Sequence, residues 1–283
     1  MKSSSEFRYI LLAGERVGGN ALAREFNLPV SVLIKVGTQA CINWVLDALQ
    51  ESKRVGMGIL CGPSQEVVAG SATFTQALAH YPITWLAPES GPAASAKNAL
   101  SSLGYYPALI TTADHALLTG DVIDEFCDSA TELEQQLEPE LELESKPGQQ
   151  QSLDFVVGLV PHEYVKQAFP DSRRTLLRFK DGKFCGSNLF AVLNARGANA
   201  LALWQEVESE RKTPWKIARR LSLVMMLKYV TGRLSLERVF EILSEQSNCR
   251  VGYVLVKHAR AAVDVDSKAD WLLADALLSG GKS

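Results

Sequence analysis

Short apolar runs alternate with helix-spaced apolar stripes through the first part of the chain, and each run stops at a glycine or proline. Residues 9–13 form such a run and end at Gly14, which suits a buried strand feeding a loop. Ile42, Val45, Leu46 and Leu49 fall on one side of a helix predicted over residues 40–50. Further strands are expected at 55–61, before Gly62-Pro63, and at 84–87, before Pro88-Glu89-Ser90-Gly91-Pro92. A helix over 93–103 leads to a strand at 106–112, which ends at Ala113-Asp114-His115. Strand, loop and helix in this order predict βαβ units and a mostly parallel sheet with helices on both faces.

The pattern changes at residue 129. Residues 129–152 are rich in glutamate, contain Lys146-Pro147-Gly148 and lack aromatic residues, so a solvated helix end and a flexible acidic loop are expected. Strand character resumes at 154–160, 175–179 and 188–193, with Asp181-Gly182 as a turn signal. Residues 198–247 read as a helical insertion with Leu221, Val224, Met225 and Leu227 in its core. A last strand at 250–256 and a closing helix at 270–278 complete a single expected domain over 1–283.

Composition narrows the class. The 283 residues are 47% apolar and 22% charged, enough to bury a large core. Lys and Arg number 29 against 32 Asp and Glu, a net charge of −3 that argues against a protein wrapping duplex nucleic acid and leaves room only for local basic patches. No apolar stretch reaches the length of about 18 residues that reads as a membrane-spanning helix, and no secretory signal precedes the first strand. Five scattered cysteines without zinc spacing point to reduced, buried thiols and a cytoplasmic protein.

Three segments could carry chemistry. The loop Gly14-Glu15-Arg16-Val17-Gly18-Gly19 follows a buried strand, so its backbone could approach phosphate oxygens and Arg16 could add charge. It lacks both the dinucleotide fingerprint and the terminal Gly-Lys-Ser/Thr of a P-loop, and a plain turn fits it equally well. Asp114 stands at the carboxyl end of an expected parallel strand, the edge where ligands bind in open α/β sheets. Its carboxylate suits Mg²⁺ shared with phosphate oxygens, although helix capping is as common a use for such a residue. In Asp264-Val265-Asp266, only one of the two carboxylates is expected to share a metal with Asp114. The basic residues Arg173, Arg174, Lys180 and Lys183 could neutralise a phosphate or form a solvated face. Serine-hydrolase and zinc-peptidase motifs are absent from the sequence.

Taken in order, Leu12-Ala13-Gly14-Glu15-Arg16-Val17-Gly18-Gly19, Gly91-Pro92-Ala93-Ala94-Ser95, Thr111-Thr112-Ala113-Asp114-His115, Gly186-Ser187-Asn188-Leu189-Phe190 and Val263-Asp264-Val265-Asp266 with Asp270 resemble the NTP transferase family. The resemblance is nearest to the branch of molybdenum cofactor guanylyltransferase and its sugar- and polyol-phosphate relatives. It implies a Rossmann-like GT-A fold and transfer of an NMP from an NTP, CTP or GTP, to a phosphorylated small molecule with release of pyrophosphate. It implies that Leu12, Ala13, Gly14, Gly18 and Gly19 cradle the triphosphate, and that Gly91, Pro92 and Ser95 border the base and ribose. Asp114 and Asp266 would hold Mg²⁺, with Asp264 the lesser choice. Arg173, Arg174, Lys180 and Asn188 would face the acceptor, and Arg16 and Lys35 would supply cationic charge.

Two positions depart from the family pattern. Glu15 replaces the second glycine of the opening loop, and Ser31 stands where the loop lysine belongs, with Lys35 one turn further on as the candidate replacement. These departures keep two alternatives open: a nucleotide-binding regulatory protein without turnover, and a nucleotide-sugar-dependent glycosyltransferase. The helical insertion suits a cover over the acceptor site or a homodimer surface.

Overall fold

The computed structural model describes residues 6–15, 19–144, 152–210 and 231–280. Its centre is an eight-stranded sheet. Strands β1 (Phe7–Leu12), β4 (Val55–Cys61), β5 (Ile83–Leu86) and β6 (Ala108–Thr112) are mutually parallel, in the order β6-β1-β4-β5. On the other side of β6 lie β9 (Gly182–Val192), β7 (Phe155–Pro161) and β10 (Val251–Leu255), in the order β10-β7-β9-β6. Strand β9 is antiparallel to both β6 and β7, and the short β8 (Leu177–Phe179) pairs with it through the expected turn at Gly182. A two-stranded hairpin, β2 (Lys35–Val36) and β3 (Gln39–Ala40), stands apart.

Alternation along β1 splits the core in two. Phe7, Tyr9 and Leu11 point into one hydrophobic layer, and Ile10 and Leu12 into the other. The first layer is closed by α2 (Cys41–Glu51), α6 (Gly120–Glu144) and α10 (Lys268–Ser279), through residues such as Ile42, Leu46, Phe126 and Ala274. The second is closed by α5 (Pro92–Leu103), α8 (Ala198–Glu210) and α9 (Leu236–Ser247), through Ala96, Leu100, Leu201 and Phe240. A strand buried on both faces needs no polar alternation, which is why its sequence reads as a plain apolar run. The short helices α1 (Ala21–Glu25), α3 (Gln65–Gly70), α4 (Ala72–His80) and α7 (His162–Ala168) fill the connections.

Two expectations change. Where a solvated helix end giving way to a flexible acidic loop is expected within 129–152, the helix α6 continues to Glu144. Ala130 is fully buried, and Leu133 and Leu137 pack on the first core at helical spacing, so an apolar stripe continues beneath the acidic face. In the helical insertion, α8 packs against α5, and α9 against α8 and β10. The described part of the insertion is therefore a core layer, with Trp204 stacked on Phe190 at 5.4 Å between ring centroids. Leu221, Val224, Met225 and Leu227 lie outside the described residues.

Candidate functional site

Parallel strands bring their carboxyl ends to one edge of the sheet, and the loops that leave this edge carry the candidate residues. After β1, Leu12 and Ala13 are buried in opposite core layers, so only their backbone is available to a ligand. The Ala13 N–H donates to Cys61 O at 2.9 Å. This brings Gly14 so close to Gly62 that a Cβ on Gly62 would sit 2.9 Å from the Gly14 backbone. Asn20 caps α1 by accepting the Leu22 and Ala23 N–H groups, so that short helix does not aim its first donors at a ligand. Arg16 and Gly18 lie outside the described residues, while Gly19 is exposed with φ +72°.

The two departures from the family pattern meet. A Glu15 carboxylate oxygen accepts the Ser31 backbone N–H at 2.8 Å. Glu15 is thus directed at a helix-start donor, which fastens the opening loop to the turn Ser31–Leu33. Lys35 is exposed at the start of β2, and its carbonyl accepts the Trp271 indole N–H at 2.8 Å. The β2–β3 turn is held to the same helix, α10, because the Gly37 N–H donates to Asp275 at 2.7 Å.

After β5, Gly91 forms the N-cap of α5 and Pro92 opens the helix. Ser95 is buried, and its hydroxyl accepts the Glu89 N–H at 2.9 Å, so it shapes this loop rather than facing outward. A residue invisible to sequence reasoning arrives here. The Glu208 carboxylate accepts the Ala93 N–H at 3.3 Å, in a position that a Cβ on Gly91 would obstruct at 2.8 Å. A carboxylate at this end of α5 is favoured by the helix dipole.

Strand β6 ends in a run of buried polar atoms. Thr111 Oγ1, Thr112 Oγ1, Asp114 Oδ1 and His115 Nδ1 are all buried without a hydrogen-bond partner. Native structures rarely leave such groups unsatisfied, so water, an ion or a polar ligand is expected to meet them. Burial pushes the Asp114 carboxyl up to about 7. The Thr112 hydroxyl opposes this, and the charges of Asp264 and Asp266 add to it. His115 is 1% exposed, and burial lowers its proton affinity. Its Nε2 faces Arg260 O at 3.3 Å, and a carbonyl can only accept, so Nε2 carries the proton and Nδ1 is bare.

The segment 256–267 crosses this edge as a strap. Val256 N–H bonds Leu159 O at 2.8 Å, the His115 contact follows, and Val265 N–H bonds Asp114 O at 3.0 Å. Val265, between the two acids, is buried. Asp266 is exposed, whereas Asp264 pairs with Arg174 Nη1 at 2.9 Å. Arg174 Nη2 pairs with Asp270, whose other oxygen accepts the Ser267 N–H at 2.9 Å in a capping box that starts α10. Arg174 is therefore placed differently from the expected acceptor contact: both its terminal nitrogens hold carboxylates. Arg173 and Lys180 are exposed. Asn188 sits in a bulge of β9, with φ +54°, beyond the last β6–β9 pair at Ile110 and Phe190.

Solved structures share this architecture. The chain matches a hypothetical transferase from Thermus thermophilus with a TM-score of 0.73 at 24% identity, covering 94% of this chain and 99% of the other. It matches a 4-diphosphocytidyl-2C-methyl-D-erythritol synthase from Anaerococcus prevotii with a TM-score of 0.56 at 11% identity, covering 97% and 96%. A CMP:2-keto-3-deoxy-manno-octonic acid synthetase complexed with CTP matches with a TM-score of 0.56 at 10% identity, covering 98% and 99%. No protein-family model matches the chain, and no curated protein does. At these identities the likeness establishes the fold, which is one that nucleotidyltransferases use.

The donor set also bears on a cation. Among the described residues, no group of three or more His, Cys, Asp or Glu side chains is arranged to hold a metal. Mg²⁺ asks for less, since it is commonly held by one or two carboxylates and completed by phosphate oxygens and water. The orphaned Asp114 Oδ1, with the Asp264 and Asp266 charges near it, fits that requirement. No helix among the described residues is long and apolar enough to cross a membrane.

Proposed function

We propose that the chain is a Mg²⁺-dependent nucleotidyltransferase that joins an NMP, from CTP or GTP, to a phosphorylated small-molecule acceptor. One observation carries this reading. The Val265–Asp114 backbone bond brings the acidic strap against a strand-end carboxylate whose buried oxygen has no partner. The reaction is an in-line displacement in which an acceptor phosphate oxygen attacks the α-phosphorus and pyrophosphate leaves. Such chemistry depends on alignment and on positive charge where negative charge accumulates. Asp114 and Asp266 would hold Mg²⁺, which would neutralise phosphate oxygens in the transition state. The backbone at Gly14 and Gly19 would approach the triphosphate, Arg16 and Lys35 would add cationic charge, and Gly91 and Pro92 would border the nucleoside. Arg173, Lys180 and Asn188 remain as acceptor contacts, and Arg174 acts from behind through the strap.

The test is pyrophosphate release with each of the four NTPs, Mg²⁺ and a pool of phosphorylated sugars and polyols. Turnover with one NTP is expected, and Asp114→Asn is expected to lower it at least about 100-fold, as for loss of a group that stabilises transition-state charge, with the fold unchanged by circular dichroism. Undiminished turnover in Asp114→Asn would remove Asp114 from the mechanism. A second reading, nucleotide binding without turnover, is favoured by the Glu15–Ser31 contact, which stands at the loop-lysine position. Saturable NTP binding with no pyrophosphate from any acceptor would select it.

A further inference from the structure

The opening loop lacks the lysine that its resemblance calls for, and a carboxylate meets that position instead. One Glu15 oxygen accepts the Ser31 N–H at 2.8 Å, so a negative charge is fixed at the loop read as the triphosphate cradle. A polyanion binding there needs a cation that outweighs this charge. Helix α1 does not supply it through its backbone, because Asn20 accepts the Leu22 and Ala23 N–H groups. It supplies a side chain. Arg24 Nη1 lies 3.4 Å from the point where a Cβ on Gly19 would stand, so the guanidinium rests against the far end of the same loop. Gly19 is exposed with φ +72°, and its bare Cα leaves that space to the arginine.

The backbone that carries Arg24 is held in place. Leu22 and Ala23 are buried, and α1 packs against the turn Ser31–Leu33. The Leu28 N–H donates back to Ala23 O at 2.9 Å, and Phe26 packs on Trp271 of α10 at 5.1 Å between ring centroids. Glu25, the neighbouring acid, pairs with Lys268 at the start of α10. An arginine suits a phosphate contact, since its charge persists at any working pH and its planar fork of donors matches two phosphate oxygens at once.

We infer that Arg24 is a triphosphate-binding residue, the cation that stands in for the loop lysine whose place Ser31 holds. The inference rests on the reading of the opening loop as a nucleotide cradle and adds the residue that carries its charge. Glu15 then fastens one end of the loop to the Ser31 turn, and Arg24 offsets its charge at the other end. The departure at Ser31 is on this view a relocation of the cation, not its loss.

The test is titration calorimetry on the full chain with Mg²⁺, with CTP and GTP as probes and CMP and GMP as their short counterparts. For the triphosphate that binds the wild type, Arg24→Met should weaken binding about ten-fold, as for loss of one charge-assisted contact. The matching monophosphate should lose less than two-fold, because it brings fewer oxygens to the loop. Arg24→Lys keeps the charge without the fork and should fall between the two. The wild-type affinity for the triphosphate should also drop more steeply with added KCl than that of Arg24→Met, since an exposed charge contact is screened by salt. Glu25→Gln breaks the neighbouring ion pair of the same helix and should leave triphosphate affinity within two-fold of the wild type. If Arg24→Met does not fold, Arg24→Lys and its salt dependence decide. Three results would overturn the inference: triphosphate binding by Arg24→Met within two-fold of the wild type, equal losses for triphosphate and monophosphate, or a loss in Glu25→Gln as large as that in Arg24→Met. A wild type that binds neither triphosphate would instead remove the cradle reading itself.

Discussion

At the scale of single residues, the chemistry of the site is decided by solvation and proximity. Asp114 is raised to about 7 because its buried carboxyl has lost water and faces two further acids. A carboxyl in an unfolded chain titrates near 4. The folded protein therefore holds this proton more tightly than the unfolded one does. That contribution to stability is present at low pH and is lost as pH rises through about 7. In the absence of divalent cations, the melting temperature of the wild type relative to Asp114→Asn should fall between pH 6 and pH 8. Added Mg²⁺ should recover the loss, and more at pH 8 than at pH 6, because it competes with the proton for the same oxygen. Thermal melts of both proteins at the two pH values, with and without Mg²⁺, check this. A difference that does not move with pH would mean that Asp114 is already ionised without its cation.

At the scale of elements, the site depends on how closely the ends of β1 and β4 approach. Gly62 has φ +85°, and any Cβ there would press on the Gly14 backbone. Gly62→Ala should cost about 1–3 kcal/mol through backbone strain. It should also displace the opening loop, so that the melting shift produced by saturating CTP or GTP shrinks. Gly70→Ala, with nothing within 4 Å of its new methyl, is the matched control and should leave the ligand shift intact. The strands themselves were legible, since Val55–Cys61 and its neighbours are apolar runs between breakers. The length of α6 was not, because glutamates outnumber the few positions, Ala130, Leu133 and Leu137, that hold the helix to the core. Asp114 was legible from its place after a strand. The partners of Arg174 were not: Asp264 is 90 residues away in sequence and Asp270 is 96, and no local pattern reports such a contact. Glu208, 115 residues from Ala93, was hidden for the same reason.

At the scale of the whole molecule, the two edges of the sheet divide the work. The carboxyl edge holds orphaned polar atoms and exposed acids, features that cost stability. The opposite edge is fastened by a fully satisfied buried charge. Asp154, 0% exposed, accepts the Arg250 N–H at 2.7 Å and the Ser152 hydroxyl at 3.1 Å and pairs with Arg196 at 3.0 Å. Its own backbone bonds Arg250 O and Leu193 N–H, so one residue ties together the ends of β7, β9 and β10. Arg196 is half exposed and can be hydrated when its partner is lost, but the Arg250 N–H cannot find water as easily. Asp154→Ala should therefore lower stability by about 2–4 kcal/mol, chiefly through lost charged hydrogen bonds and an orphaned donor. It should do so without touching the Asp114 end of the sheet: the urea midpoint should drop while Mn²⁺ affinity, measured well below the new melting temperature, stays within two-fold of the wild type. Asp114→Asn should show the reverse pattern, with Mn²⁺ affinity lost and the urea midpoint at pH 8 held or raised. If both variants moved both quantities together, the two edges would be one cooperative unit, and burial at the amino edge would have to be counted as part of the site.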